Sequence, residues 1–359
     1  MDMNRLAREI RRNCDISDAR HAGVFSICGL ALRLRDLYRW ERGLDPWEEG
    51  DPAALLEWIG AREGLWDTLA DADYGNLMLA EREFEPFDTE AINARLEPEG
   101  MLYGAGYARG LKPTFFLARI ERRQQVQGVT LYLLGRELAR DLLTLPAMTQ
   151  GRTILMRQEA ARMALWDTIV YAAPSAKRAL AVALDACGIS DHRPAAIRPH
   201  LGRLLGVQEK ILIGHELGEL KALGFERSAW RQMVAAFSGS RVEILVRRVK
   251  DLLADTDPHG TLARICRRRD LAGLALFVAL ADGLSRAYLP RVFAAFERVR
   301  EPRGWQLLAA AVADGHRELC RLAEHVTALF REGLAQNDPS AAGERIDRLL
   351  GQTVGPLPE

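Results

Sequence analysis

Helical periodicity dominates the second half of this 359-residue chain. Beyond Pro199, apolar residues recur every three or four positions in long segments that glycine or proline separates. These segments predict helices at 200–223, 227–238, 240–255, 261–287 and 304–334. Because no strand-like pattern interrupts them, the sequence predicts an all-α helical bundle for this half.

Strand-like sequence is concentrated in one part of the first half. Two segments rich in aromatic and branched residues flank Gln127-Gly128, a pair typical of a tight turn. They predict an antiparallel hairpin at about 114–134. A short strand is expected at 153–156, and helices at 4–14, 17–41, 51–70, 136–145, 157–171 and 175–187. The predicted fold class is therefore mainly α (α+β), with a small hairpin or sheet in a helical N-terminal domain.

The length of the chain favours two domains, because one hydrophobic core rarely serves more than about 250–300 residues. Residues 188–199 concentrate Gly and Pro between helical patterns, as linkers do. We therefore expect an N-terminal domain at 1–188, a C-terminal bundle at 189–350 and a tail at 351–359.

Four sequence stretches carry a family resemblance: 13–23, 103–121, 135–144 and the GHELGE segment that begins at Gly214. They resemble an uncharacterised bacterial family that has an N-terminal and a C-terminal domain of unknown function. The resemblance implies two domains, and it implies no activity, cofactor or catalytic residue.

Membrane insertion and export are not expected. The longest apolar run, 271–281, is well below the roughly 20 residues of a membrane-spanning helix, and the charged amino terminus lacks the apolar core of a secretory signal. The five cysteines are widely spaced and form no C-x-x-C pair. Such spacing is typical of reduced thiols, so we expect a cytoplasmic protein.

Charge is unevenly distributed although Lys and Arg together equal Asp and Glu, at 49 each. Segment 41–100 has 17 acidic and four basic residues. It is either a solvated surface or a docking surface for a cationic face or an unknown protein partner. Basic residues cluster at 247–250 and 264–269, but acidic residues intersperse them and no nucleic-acid motif accompanies them, so nucleic-acid binding is not expected.

The segment Gly214-His215-Glu216-Leu217-Gly218-Glu219 is the strongest candidate site. His215 and Glu219 are four residues apart, so one helical face presents both, with Glu216 on the adjacent ridge. Imidazole and carboxylate together suit Zn, Fe or Mn, which predicts His215 and Glu219 as ligands and Glu216 as a catalytic acid or base. The alternative is an exposed helix face with solvated carboxylates. The zinc-protease pattern is absent, since its second His is replaced by Glu219.

Two further residues, on neighbouring helices, are candidate ligands. Asp282 follows the apolar run and is predicted to be a buried carboxylate, as a metal ligand or paired with Arg286 or another cation. His316 lies four residues from Cys320 on one predicted helix, and it is also a candidate ligand. Two hypotheses follow: a metal-dependent helical protein, or a non-catalytic interaction or regulatory module with a charge-segregated surface. The sequence does not define the substrate, cofactor-binding residues or oligomeric state.

Two arrangements in the first half are weaker. Cys14, Asp18 and His21 combine a thiol, a carboxylate and an imidazole, but the helix break expected at 15–17 separates Cys14 from the other two. The glycine-rich stretch 103–112 has two cations but lacks the spacing of a dinucleotide fingerprint. We expect a tight connection there rather than a phosphate-binding loop.

Overall fold

The structure of the protein is a computed structural model, and it describes residues 2–221 and 224–354. The chain divides into two compact units, Met1–Asp167 and Thr168–Glu359, so the division falls within the helix Gln158–Val170.

The N-terminal unit contains both helices and strands. Its helices are α1 Met3–His21, α2 Ile27–Arg42, α3 Pro52–Leu69, α4 Thr89–Leu96 and α5 Gln158–Val170, the last of which continues beyond the unit. Its strands are β1 Leu77–Leu79, β2 Arg82–Phe84, β3 Met101–Tyr107, β4 Pro113–Val126, β5 Val129–Arg140, β6 Ala147–Gln150 and β7 Thr153–Arg157.

The strands form a five-stranded mixed sheet of order β3-β4-β5-β7-β6, and β1 and β2 form a separate two-stranded sheet. The β5–β7 pair is parallel, and the other pairs of the large sheet are antiparallel. The predicted turn is present, with positive φ at Gln127 and Gly128, and register shifts between Leu117 and Arg122 mark bulges in β4. A helical domain with only a small hairpin is therefore the wrong fold class for this half.

The burial of β4 on both faces explains why the sequence pattern did not predict this sheet. Phe115 and Leu117 of β4 belong to one hydrophobic cluster, with Leu6 and Ile10 of α1, while Phe116 belongs to a second cluster. Both faces of β4 are thus covered, so its apolar residues run continuously and do not alternate. Gly104 was expected in a loop but lies in β3, where a Cβ would be 2.1 Å from the Phe116 ring.

Two predicted helix boundaries in this unit are wrong. Helix α1 continues through 15–17. Ser17 donates to the carbonyl of Pro113, and Asp18 accepts from the backbone N–H of Leu142. These polar side chains therefore bind other segments rather than cap a new helix. The helix expected at 136–145 is also absent, since β5 continues to Arg140.

The C-terminal unit is helical over its described residues. It contains α6 Pro174–Ala186, α7 Pro194–Ile197, α8 Leu201–Lys221, α9 Arg227–Ala236, α10 Arg241–Thr256, α11 Thr261–Arg268, α12 Leu271–Leu280, α13 Gly283–Tyr288, α14 Pro290–Glu297, α15 Gly304–Ala335 and α16 Pro339–Val354. Helix α8 packs against α10, α11 and α12, while α10 also packs against α15. Four residues of the expected tail belong to α16, and 355–359 lie outside the described residues.

The single helix expected at 261–287 is three helices. Arg269 ends α11 with a φ of 49°, and Asp282 caps the amino end of α13 by accepting from the backbone N–H of Ser285 at 2.8 Å. None of the described helices is both long enough and apolar enough to cross a membrane.

Candidate metal centre

The site begins with a close helix contact. A Cβ on Gly218 of α8 would lie 2.0 Å from the carbonyl oxygen of Ala254 on α10, and one on Gly214 would lie 2.8 Å from the Cα of Thr261. Only residues without side chains permit this approach of backbones. The contact places His215 and Glu219 of α8 beside the carboxylates of α10.

Three side chains converge there: His215, Glu219 and Asp251. One ring nitrogen of His215 and one carboxylate oxygen from each acid all lie within 4.8 Å of one another. The three residues are half-buried, so the cluster is partly shielded from water. Two of its members are the ligands predicted from the sequence.

Asp255 orients the imidazole of His215. Its Oδ1 lies 3.0 Å from Nδ1 of His215, and this carboxylate is buried. Burial lowers the pKa of His215, but Asp255 outweighs it, with smaller contributions from Asp251 and Glu216, and the pKa rises to about 10. The imidazole is therefore protonated at neutral pH when no metal is bound. A carboxylate on Nδ1 is also the arrangement that prepares Nε2 for a metal.

Two cations accompany the acidic ligands. Lys250 forms an ion pair with Glu219, and Arg248 lies 3.6 Å from Asp251. Burial raises the pKa of Glu219, but Lys250 and His215 outweigh it, so the net shift is downward. The pKa of Asp251 is raised, chiefly by burial. Glu219 is thus held as a carboxylate.

The other predicted site residues lie outside this cluster. Glu216 is buried on α8 and is not one of the three convergent groups. His316 lies on α15, with Nδ1 3.0 Å from Thr256 Oγ1 and Nε2 3.6 Å from Cys320 Sγ.

Asp282 pairs with a cation of another helix, which is one of the predicted alternatives, but its burial differs from the prediction. It is exposed rather than buried, because it caps a helix after the apolar run has ended. Its cation is Arg248, at 2.6 Å, while Arg286 donates to the carbonyl of Val278 instead.

Sequence reasoning missed Asp251, Asp255 and Lys250. The signal was present, since Asp251 and Asp255 of α10 are four residues apart, as His215 and Glu219 are on α8. Two such pairs on neighbouring helices make facing ligand sets, but only the packing of α8 on α10 shows that they meet.

The N-terminal unit has a separate buried ion cluster. Lys112 Nζ lies 2.9 Å from Asp18 Oδ1, 3.4 Å from Asp141 Oδ2 and 2.8 Å from Ser17 Oγ, and all four residues are at most 1% exposed. Burial lowers the pKa of Lys112, but the two carboxylates outweigh it and raise it above its ordinary value. A protonated lysine cannot take a proton from Ser17, so this cluster stabilises the fold and does not activate a nucleophile.

Cys14 is also unsuited to catalysis. Because α1 is continuous, Cys14 lies one turn from Asp18, but its thiol is buried and donates to the carbonyl of Phe115 at 3.3 Å. Burial, followed by the charges of Asp141 and Asp18, raises the thiol pKa well above its ordinary value. The reactive thiolate is therefore not formed.

Both units match one family. Its N-terminal domain matches residues 5–157, and its C-terminal domain matches residues 162–350. No curated protein and no solved structure matches the chain. Since the two domains together account for nearly all of the sequence, the chain belongs to the two-domain family of unknown function DUF6866.

Proposed function

We propose that the C-terminal unit binds one divalent transition-metal ion through His215, Glu219 and Asp251. The convergence of their ligand atoms within 4.8 Å carries the proposal. Two ligand atoms on one ion at about 2.1 Å lie at most about 4.2 Å apart. Small side-chain rotations therefore suffice to close the three ligands on an ion.

The ligand types favour Zn²⁺, Fe²⁺ or Mn²⁺. One imidazole and two carboxylates form a borderline donor set, which suits these ions better than Cu⁺ or Ca²⁺. Three protein ligands leave a coordination position for water or substrate, as catalytic ions require. Glu216, which is buried on α8 but is not one of the three convergent groups, stays the candidate acid or base.

Metal binding must displace a proton from His215 and the ammonium group of Lys250 from Glu219. At pH 7 the imidazole must lose its proton, which costs about 4 kcal/mol for a pKa of about 10. Lys250 must also leave Glu219. The site therefore exchanges a proton and an ammonium contact for the metal, and Lys250→Met is expected to tighten metal binding.

Calorimetric titration of the metal-free protein with Zn²⁺, Mn²⁺ and, without oxygen, Fe²⁺ tests the proposal. We expect one ion per chain, and an affinity at least about 100-fold lower in His215→Ala and Asp251→Asn. His325→Ala removes an exposed histidine of α15 and is the control. Absence of binding, or equal affinity in His215→Ala and His325→Ala, would overturn the assignment.

A second candidate is an interaction module with a cationic partner. The observation that favours it is that eight of the 17 acidic residues of segment 41–100, the ones expected to form the docking surface, are exposed. They are Glu48, Glu49, Asp51, Asp71, Asp73, Glu81, Glu83 and Glu85. We expect partner recovery to fall as salt rises. Replacing Glu81, Glu83 and Glu85 with Gln must lower recovery at low salt, and unchanged recovery excludes docking through these three residues.

A reducing compartment, the cytoplasm, is the proposed location. All five cysteines are free thiols. The protein unfolded without reductant should therefore give five reactive thiols, and fewer would contradict this location.

A further inference from the structure

A buried arginine of the N-terminal unit has no hydrogen-bond partner. Arg140, the last residue of β5, is 3% exposed, and none of its three guanidinium nitrogens makes a hydrogen bond. Its nearest carboxylate is Glu137, whose Oε2 lies 3.7 Å from Nε. A guanidinium carries five donors, and leaving them unsatisfied in the interior is costly.

Glu137 does not hydrogen-bond to Arg140, and both of its carboxylate oxygens accept from Arg157 instead. Nε and Nη2 of Arg157 bind the two carboxylate oxygens of Glu137 at 2.6 and 3.0 Å. All three residues are buried, so two cations share one anion. The charges of Asp36 and Glu159 also act on Arg140, but neither residue forms a hydrogen bond with it, so its guanidinium donors remain unsatisfied.

Arg140 lines a cavity of about 150 Å³, far more than the roughly 10–15 Å³ that one water needs. Trp40 and Met163 supply apolar walls, and the guanidinium carbon of Arg140 is 5.7 Å from the Trp40 ring centre. Arg162 and Asp45 are about 40% exposed and pair at 2.7 Å, so they mark the mouth.

We propose that this cavity binds a small organic carboxylate, with its carboxylate on Arg140 and its apolar part against Trp40 and Met163. The flat guanidinium pairs with a carboxylate through two parallel hydrogen bonds. Glu159 and Asp45 also line the cavity, and their negative charges oppose a dianion such as phosphate. They repel a monoanion less than a dianion, and a monoanion supplies the hydrogen-bond acceptors that Arg140 lacks.

The ligand test compares molecules of matched shape on the full-length protein. Propionate should raise the thermal midpoint by about 5–10 °C at a hundredfold excess over its Kd, and propionamide, which has no charge, should raise it far less. Equal effects of the two would overturn the proposal. If inorganic phosphate binds more tightly than propionate, the cavity is a phosphate site and the carboxylate assignment is wrong.

The variant test uses two arginines of one strand. Arg140→Met should lower propionate affinity at least tenfold, whereas Arg136→Met, which changes an exposed residue of β5, should alter it less than twofold. Removing a buried guanidinium that makes no hydrogen bond should keep or raise the thermal midpoint without ligand. Should Arg140→Met not fold, Arg140→Lys keeps the charge but loses the paired donors, and it should also bind at least tenfold more weakly. Wild-type affinity in the folded variant would refute the site.

Discussion

His215 and Asp255 lie 40 residues apart in sequence, yet Nδ1 of one is 3.0 Å from Oδ1 of the other. This hydrogen bond joins α8 to α10 at the candidate metal centre. It orients the imidazole, and it also stabilises the protonated ring, whose Nε2 proton a metal must displace. The carboxylate of Asp255 therefore orients His215 as a ligand. It also strengthens the binding of the ring proton, which competes with the metal ion for His215.

Stability of the metal-free protein should fall as pH rises above neutrality. The folded pKa of His215 is about 10, above the ordinary value of 6.5, so its contribution is complete below pH 6.5 and is lost as pH rises through 10. The loss by pH 9 should be about 3 kcal/mol. Urea unfolding of wild type and His215→Gln between pH 6 and 9 measures it. If the free energies of unfolding of the two proteins change in parallel with pH, the pKa of His215 is not raised in the folded protein.

Asp255→Asn should lower metal affinity by about 10–100-fold, because it weakens the hydrogen bond that orients His215 without removing a ligand. Metal titration measures the effect. Asp347→Asn changes a half-buried carboxylate of α16 and is the matched control, with an expected change of less than twofold. An Asp255→Asn protein with wild-type affinity would show that the hydrogen bond plays no part in binding.

Gly218→Ala should destabilise the protein by about 1–3 kcal/mol, since its Cβ would lie 2.0 Å from the carbonyl oxygen of Ala254. Gly206→Ala, also in α8, has nothing within 4 Å of its Cβ and should stabilise by about 0.5–1 kcal/mol. Denaturant unfolding compares the two. A similar effect of both substitutions would contradict the close contact of α8 with α10.

Lys112→Met should cost about 3–5 kcal/mol, because it leaves the carboxylates of Asp18 and Asp141 buried without their cation. Arg12→Met removes an exposed cation of α1 and should change stability by less than about 0.5 kcal/mol. Urea unfolding of both variants provides the comparison. A loss below about 1 kcal/mol in Lys112→Met would mean that the ion cluster does not stabilise the fold.

Local spacing predicted two of the three convergent residues of the candidate site. The four-residue separation of His215 and Glu219 is a property of one helix, so the sequence reveals it directly. Asp251 joins them only because Gly218 lets α10 approach, and that contact depends on the packing of distant segments. The burial of Asp282 was predicted wrongly because the apolar run that implied it forms α12, which ends at Leu280, whereas Asp282 caps the next helix, α13.

The sheet was largely missed because its strands carry unusual sequences. Glu137 and Arg140 resemble an exposed helix face, but they are buried in β5, where Glu137 pairs with Arg157 from β7. A charged residue that a distant partner neutralises gives no local sign of burial. The hairpin turn at Gln127-Gly128 was predictable because Gly128 adopts a positive φ without strain and strand-like segments flank the pair.

Anomalous X-ray scattering from crystals of the protein grown with Zn²⁺ or Mn²⁺ tests the metal centre most directly. The account predicts one strong peak between α8 and α10, about 2.0–2.2 Å from His215 Nε2 and from a carboxylate oxygen of Glu219 and of Asp251. Lys250 should then no longer contact Glu219. A crystal in which Lys250 remains on Glu219 and no anomalous peak lies among the three side chains would contradict it.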